Sequence, residues 1–203
     1  MKNAKPDGYT ILIHHIGMAT TPALYRQLRF NPLTDFEYIG LINDVPMTLI
    51  ARGNFPAKDF KGFLAYVKAN KDKVTYANAG IGAASHLCGM LFMSAIQTDV
   101  LTVPYKGTAP AMNDLLGGTV EGFEVGIWHA LYAPKGTPKA VIDKLAAALQ
   151  EGLKDETVKK RFADLGAEAV PLNRANPAAL AAHLKSEIDK WGPIIRKAGV
   201  YAD

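Results

Sequence analysis

From Val74 to Gly118 the chain runs through one order of elements twice, and that order limits what it can fold into. Val74-Thr75-Tyr76-Ala77 is a short β-rich run, and Asn78-Ala79-Gly80-Ile81-Gly82-Ala83-Ala84 is a turn of small residues. Ser85 then stands where a helix N-cap belongs, ahead of Leu87, Leu91 and Ala95 at helical spacing. Val100 to Tyr105 is a second β-rich run, and Lys106-Gly107-Thr108 leads into a helix that stops at Gly117-Gly118. Strand, glycine turn and helix, in that order and then again, predict a βαβα unit with a parallel pair at its centre, hence an α/β fold.

Such a unit has a functional corollary. Both glycine turns fall at the carboxyl ends of their strands, where open α/β sheets place ligands. Each turn also feeds a helix N-terminus, whose free N–H groups and positive dipole end attract anions. Small residues at 79 to 84 let a ligand oxygen approach the backbone. The physical reading is a carboxylate or phosphate site; the plain alternative is that Gly80 and Gly82 only permit a tight turn. The candidate ligand residues are Ala79, Gly80, Ile81, Gly82, Ala83 and Ser85 on the first turn, with the Ser85 hydroxyl and the amides taking one carboxylate. Tyr105, Lys106, Gly107 and Thr108 close the second strand end, where Lys106 either adds charge or points to solvent.

YANAGIGAASHLCGMLF (76–92) followed by VPYKGTAPAMNDLLGG (103–118) resembles the signature region of the tripartite tricarboxylate transporter solute receptors, the TctC or Bug family. KPDGYTILI near the start, TPALYRQLRFNPLTDFEYIGLI after it and LYAPKGTPKAVIDKLAAAL later agree with the same family, so the likeness runs along nearly the whole chain. The resemblance implies periplasmic-binding-protein-like (type II) lobes, with mainly parallel sheets flanked by helices. It implies a periplasmic receptor, not an enzyme, that needs no cofactor. Its partners would be a small carboxylic acid and the membrane subunits of a tripartite transporter.

Two departures accompany the match. The family's usual chain has a strand, a Pro-Gly-Gly loop and a helix ahead of its Pro-Asp-Gly-Tyr motif, whereas here Met1 precedes Pro6-Asp7-Gly8-Tyr9 by a few residues. Leu116-Gly117-Gly118-Thr119-Val120 normally opens a long segment, yet Glu121 to Trp128 resembles the far end of that segment and follows at once. The resemblance therefore implies a fold incomplete relative to the family, shortened at its start and cut internally. Residues 1–73 and 123–203 are read as the remnant of a first lobe with C-terminal helices, and 74–122 as the βαβα second lobe.

Composition narrows the alternatives. A 203-residue chain, 49% hydrophobic and 21% charged, can bury a substantial core. The net charge of +4 is spread along the chain, and the basic stripe with interleaved aromatics that nucleic-acid binding wants is missing. Cys88 is the only cysteine, so neither a disulfide within the chain nor a thiolate metal cluster can form. Met1-Lys2-Asn3-Ala4-Lys5 lacks the apolar region of a signal peptide, so a chain natively starting here is expected to be cytoplasmic, against the family's periplasmic habit. Apolar runs also stay below the ~18 residues of a membrane span.

Along the chain, Tyr9 to His14 reads as a strand that delivers His14 to Thr21 as a ligand loop, with Thr20 and Thr21 lining the wall that faces the glycine turn. His14 and His15, adjacent on a strand, are expected on opposite faces, a poor chelate. Phe36–Ile42 and Met47–Ala51 read as two strands separated by Asn43-Asp44. Helices are expected after the Asp59 cap, with Phe60, Phe63, Leu64 and Val67 as a core stripe, and from Thr137-Pro138 in the N-cap and N1 order. Another is expected from Asp155, burying Val158 and Phe162, and a last one from Asn176-Pro177 until Gly192-Pro193 breaks it, with Ala167 to Leu172 as a short strand between them. Trp128 reads as a core or hinge residue, and His86 as a packing residue.

Enzyme motifs are missing: there is neither G-x-S-x-G nor H-E-x-x-H. A dinucleotide fingerprint fails on Ser85 in place of its third glycine, and on Tyr105-Lys106 where an acidic residue should stand. Two other classes remain open. One is a scaffold or receptor remnant that forms a homodimer through unpaired sheet edges. The other is a cytosolic enzyme on the same lobes, favoured by His14, His15 and His129.

Overall fold

The computed structural model describes residues 1–118, 122–199 and 201–202. In chain order its elements are β1 (Leu12–His15), α1 (Gly17–Leu24), β2 (Phe36–Ala51), α2 (Phe60–Ala69), β3 (Thr75–Asn78), α3 (Ala84–Ile96), β4 (Leu101–Pro104), α4 (Thr108–Leu116), β5 (Gly122–Pro134), α5 (Lys139–Lys154), α6 (Glu156–Asp164), β6 (Glu168–Ala169) and α7 (Pro177–Ala198). Strands pair in the order β4-β3-β5-β2-β6, with β1 also on β5. The chain divides into two units, residues 1–46 with 127–203 and residues 47–126. The sequence placed the first boundary at 73/74, inside the second unit.

In the first unit β1 runs antiparallel to β5, from Leu12 opposite Tyr132 to His15 opposite His129. β2 pairs antiparallel with β6 through Asn43 and Asp44, the two residues read as a break between strands. They sit inside a single strand because each polar side chain has a partner there: His129 Nδ1 lies 2.8 Å from Asn43 Oδ1, and Arg174 pairs with Asp44. Ile39, Ala133, Ile142 and Ala146 form one core, against which Leu131, Leu145 and Leu149 pack. α1 packs on α7, and Met18, Leu24, Leu180, Leu184 and Ile195 are fully buried. Burial of this order stabilises by about 1.5–3 kcal/mol per side chain.

Expectations about three helices change in this unit. Thr137 does not cap α5; its hydroxyl donates to the Pro134 carbonyl, closing the turn before the helix. α6 begins after Asp155 as expected, whose carboxylate accepts from Thr157 and Val158, but it buries none of its residues. α7 begins at the Asn176 cap and passes through Gly192-Pro193 to Ala198, because Trp191, Gly192 and Ile195 are buried on that stretch. Likewise the strand expected over 167–172 is only Glu168–Ala169.

The second unit carries the expected parallel pair, Thr75 opposite Leu101 through Asn78 opposite Pro104. β5 adds a third parallel strand, Tyr76 opposite Gly122 and Ala77 opposite Phe123. Ala77, Ala111 and Leu115 form the core between β3 and α4, with Ile50, Tyr105 and Met112 around it. Asp59 caps α2, accepting from Gly62 N–H at 2.7 Å. Phe60, expected in the core, is exposed; its ring stacks on Phe63, which also meets Phe55 and Phe92. The junction at Thr119, Val120 and Glu121 lies outside the described residues. Among the described residues no helix is long and apolar enough to cross a membrane.

Candidate functional site

The bend between β3 and α3 is built almost wholly from local sequence. Gly80 and Gly82 adopt φ of +131° and +77°, values a side chain strongly disfavours. A Cβ on Gly80 would also sit 3.0 Å from the Tyr105 carbonyl oxygen. Side-chain acceptors then take the bend's amides in turn. Gly80 N–H donates to Asn78 Oδ1 (2.9 Å), Ala79 N–H to Ser85 Oγ (2.9 Å) and Gly82 N–H to His86 Nδ1 (3.2 Å). Ala83 N–H turns to the Gly80 carbonyl at 3.1 Å.

Ser85 is therefore not the N-cap. α3 starts at Ala84 after an Ala83 cap that makes no side-chain hydrogen bond. Ser85 is one residue inside, its oxygen turned back to Ala79 and its carbonyl accepting from the Tyr76 hydroxyl. Its hydroxyl proton is still available as a donor, since a hydroxyl donates as well as accepts. His86, read as a packing residue, accepts a backbone hydrogen bond. That bond places its ring proton on Nε2. Burial alone lowers His86 below the ordinary imidazole range, so it is neutral at pH 7.

Two kinds of donor are left at this bend among the described residues. Among the described residues the amides of Ile81, Ala84 and Ser85 meet no acceptor; for Ala84 and Ser85 this follows from their place in the first turn of the helix. Asn78 is wholly buried, and its side-chain nitrogen has no partner. A buried donor without an acceptor is costly, and such groups cluster where a ligand or water completes them.

The second turn joins the first. Tyr105 N–H donates to the Asn78 carbonyl (2.9 Å) and Gly107 N–H to the Ala79 carbonyl (3.0 Å), so the starts of the two strand-end turns lie side by side. Gly107 is the N-cap of α4 and Thr108 its first residue, while Lys106 is exposed. The Tyr105 hydroxyl is taken, donating to Asp114 Oδ2 at 2.6 Å, which raises its pKa above the ordinary phenol value.

Thr20 and Thr21 belong to the first unit, and the segment read as a loop there is α1. Thr20 is buried, 3.4 Å from the Gly17 carbonyl, and the Thr21 oxygen is buried without a partner. Helix forms because His15 Nδ1 accepts from Gly17 N–H at 3.0 Å and α7 covers the apolar side. The His14 and His15 rings do not diverge: β1 ends at His15, and the rings stack at 4.7 Å. Sequence reasoning missed the cavities. One, of about 320 Å³, lies in the second unit between the end of β2 and the start of α2, lined among others by Arg52, Phe55, Lys58 and Phe63. Neither strand-end turn lines it.

Comparison with known proteins decides the kinship. A family model described as the tripartite tricarboxylate transporter family receptor matches residues 1–125 and again 119–200. The chain belongs to the tripartite tricarboxylate transporter receptor family. The two matches overlap at residues 119–125, the stretch where the sequence reading placed a missing segment. A UPF0065 protein from the ttuE–ttuC′ intergenic region of Agrobacterium vitis is 38% identical over 240 residues, covering 97% of this chain and 69% of the relative. BugT of Bordetella pertussis is 25% identical, covering 95% of this chain and 72% of BugT.

Among solved structures, the periplasmic binding protein BugD is 44% identical with a TM-score of 0.89, covering 98% of this chain and 81% of BugD. MatC from Rhodopseudomonas palustris with bound malate is 28% identical with a TM-score of 0.85, covering 96% and 81%. The fold is that of periplasmic binding proteins. This family consists of solute-binding receptors rather than enzymes.

Proposed function

We propose that this receptor captures a small organic dicarboxylate in the periplasm and presents it to the membrane subunits of a tripartite transporter. The observation that carries the reading is the β3–α3 bend. Among the described residues its amides at Ile81, Ala84 and Ser85 meet no acceptor, and they stand at the positive end of a helix. Binding at that point offers a carboxylate several donors, with the Ser85 hydroxyl and the Asn78 side chain beside them. Ala79, Gly80, Gly82 and Ala83 shape the backbone that lets the ligand approach. Tyr105, Lys106, Gly107 and Thr108 are proposed to complete this side, Lys106 by charge. Malate in a relative of this fold supports an acid of that size as the starting probe.

Calorimetric titration with malate, glutarate, citrate and terephthalate tests the proposal. Saturable one-site binding of at least one acid is expected. A folded protein that gives no heat with any of them overturns it.

A second reading rests on one observation. Among the described residues β1 pairs only with β5, and Tyr9, Ile11 and Ile13 beside that edge are exposed. An open, apolar strand edge invites a second copy. Sedimentation velocity separates the two: a dimer at micromolar concentration favours this reading, a monomer removes it.

A further inference from the structure

Three side chains hold the bend, and they differ in what they cost an incoming anion. Asn78 and Ser85 are neutral at any pH of interest. The third acceptor stands at the N3 position of α3 and reaches back to the residue before the cap, the place where a capping box uses Glu or Gln. A glutamate there would hold Gly82 N–H equally well, but it would set a full negative charge beside the amides left for the ligand. A neutral imidazole accepts the same hydrogen bond with no such charge.

We propose that His86 is a positioning residue of the carboxylate site. Through its Nδ1 it fixes Gly82 in its left-handed conformation, and so keeps the Ile81, Ala84 and Ser85 amides turned away from the chain and available to the ligand. The inference rests on the carboxylate reading above. Several features of the site agree with it. Gly82 is buried, so its amide has no water to replace His86. His86 itself is buried, so the ring cannot swing into solvent without opening the start of the helix. Ser85 is tied on both sides, by Ala79 N–H and by the Tyr76 hydroxyl, so the next residue enters the bend at a set angle.

The test uses the geometry of the acceptor. Asparagine places Oδ1 where the imidazole has Nδ1, whereas glutamine places Oε1 nearer the position of Nε2. Wild type, His86→Asn, His86→Gln and His86→Leu are titrated with the four acids named above, and each is melted thermally. The expected result is affinity within about threefold of wild type for His86→Asn, and a loss of tenfold or more for His86→Gln and His86→Leu. Should His86→Leu fail to fold, the Asn and Gln variants still decide, because both keep an amide and differ in reach. Equal affinity across the folded variants overturns the role of His86 and leaves the receptor reading standing. Silence from wild type with every acid overturns both.

Discussion

His15 and His86 do one job at two helix starts: each offers Nδ1 to a glycine amide, Gly17 at 3.0 Å and Gly82 at 3.2 Å. Only the neutral ring can accept, so both tie stability to pH. Burial first, then the neighbouring His14 and His129, lower the pKa of His15 from 6.5 to about 4. Between those values the unfolded chain binds the proton and the folded one does not, so folding is favoured as pH rises. This contribution is complete above pH 6.5, is lost as pH falls toward about 4, and is flat below. Thermal midpoints should therefore fall on acidification across that window. His15→Asn, which keeps an acceptor for Gly17, should make the fall shallower; an unchanged slope would refute the assignment. A second residue-scale prediction concerns Glu187, whose Oε2 accepts from both indoles, Trp128 at 3.3 Å and Trp191 at 3.0 Å. Glu187→Ala strands two donors and should cost about 1–3 kcal/mol in urea unfolding, more than Glu187→Gln, which keeps one carbonyl oxygen. Gly82→Ala forces a side chain into a φ of +77° and should cost about 1–2 kcal/mol by the same measurement.

At the scale of elements, α7 shows local preference overruled. Gly192-Pro193 reads as a stop, since proline lacks an N–H and crowds the preceding turn. The helix continues because Trp191 and Ile195 are buried on either side of the break while Pro193 faces solvent. Packing outweighs one missing backbone hydrogen bond. Pro193→Ala should restore that bond and, after the loss of proline's restraint on the unfolded chain, raise stability by roughly 1–2 kcal/mol. A lower urea midpoint in this variant would show that the helix is shaped around its proline. α3 shows a smaller shift of the same kind. Its serine, a strong cap by type, stands two places past the Ala83 cap because Ala79 N–H offers it a partner across the bend.

For the whole molecule, binding must appear as stabilisation, because a ligand that prefers the native state adds about 2.7 kcal/mol at a hundred times its dissociation constant. Malate or a related acid at saturating concentration should raise the melting midpoint, and an inert relative such as a monoalcohol should not. Both tryptophans, Trp128 and Trp191, lie in the first unit, so indole fluorescence follows that unit alone. A titration in which the midpoint rises is the expected outcome; no shift with any acid that binds by calorimetry would contradict native-state binding.

The sequence by itself determined the parts that depend on near neighbours: the βαβα order, the two glycine turns, the Asp59, Asp155 and Asn176 caps, and the family, since its strings are contiguous. These follow from φ/ψ limits and spacing, which a chain carries wherever it folds. Tertiary structure alone decided that Asn43-Asp44 continue a strand, that α7 crosses its proline, and that the stretch around Thr20 is helical. In each case the deciding partner is distant in sequence, His129 and Arg174 for β2 and α7 against α1. The roles of Ser85 and His86 lay between these limits. Their spacing to Ala79 and Gly82 was on view, but which backbone amide each would meet depended on the turn of the glycines.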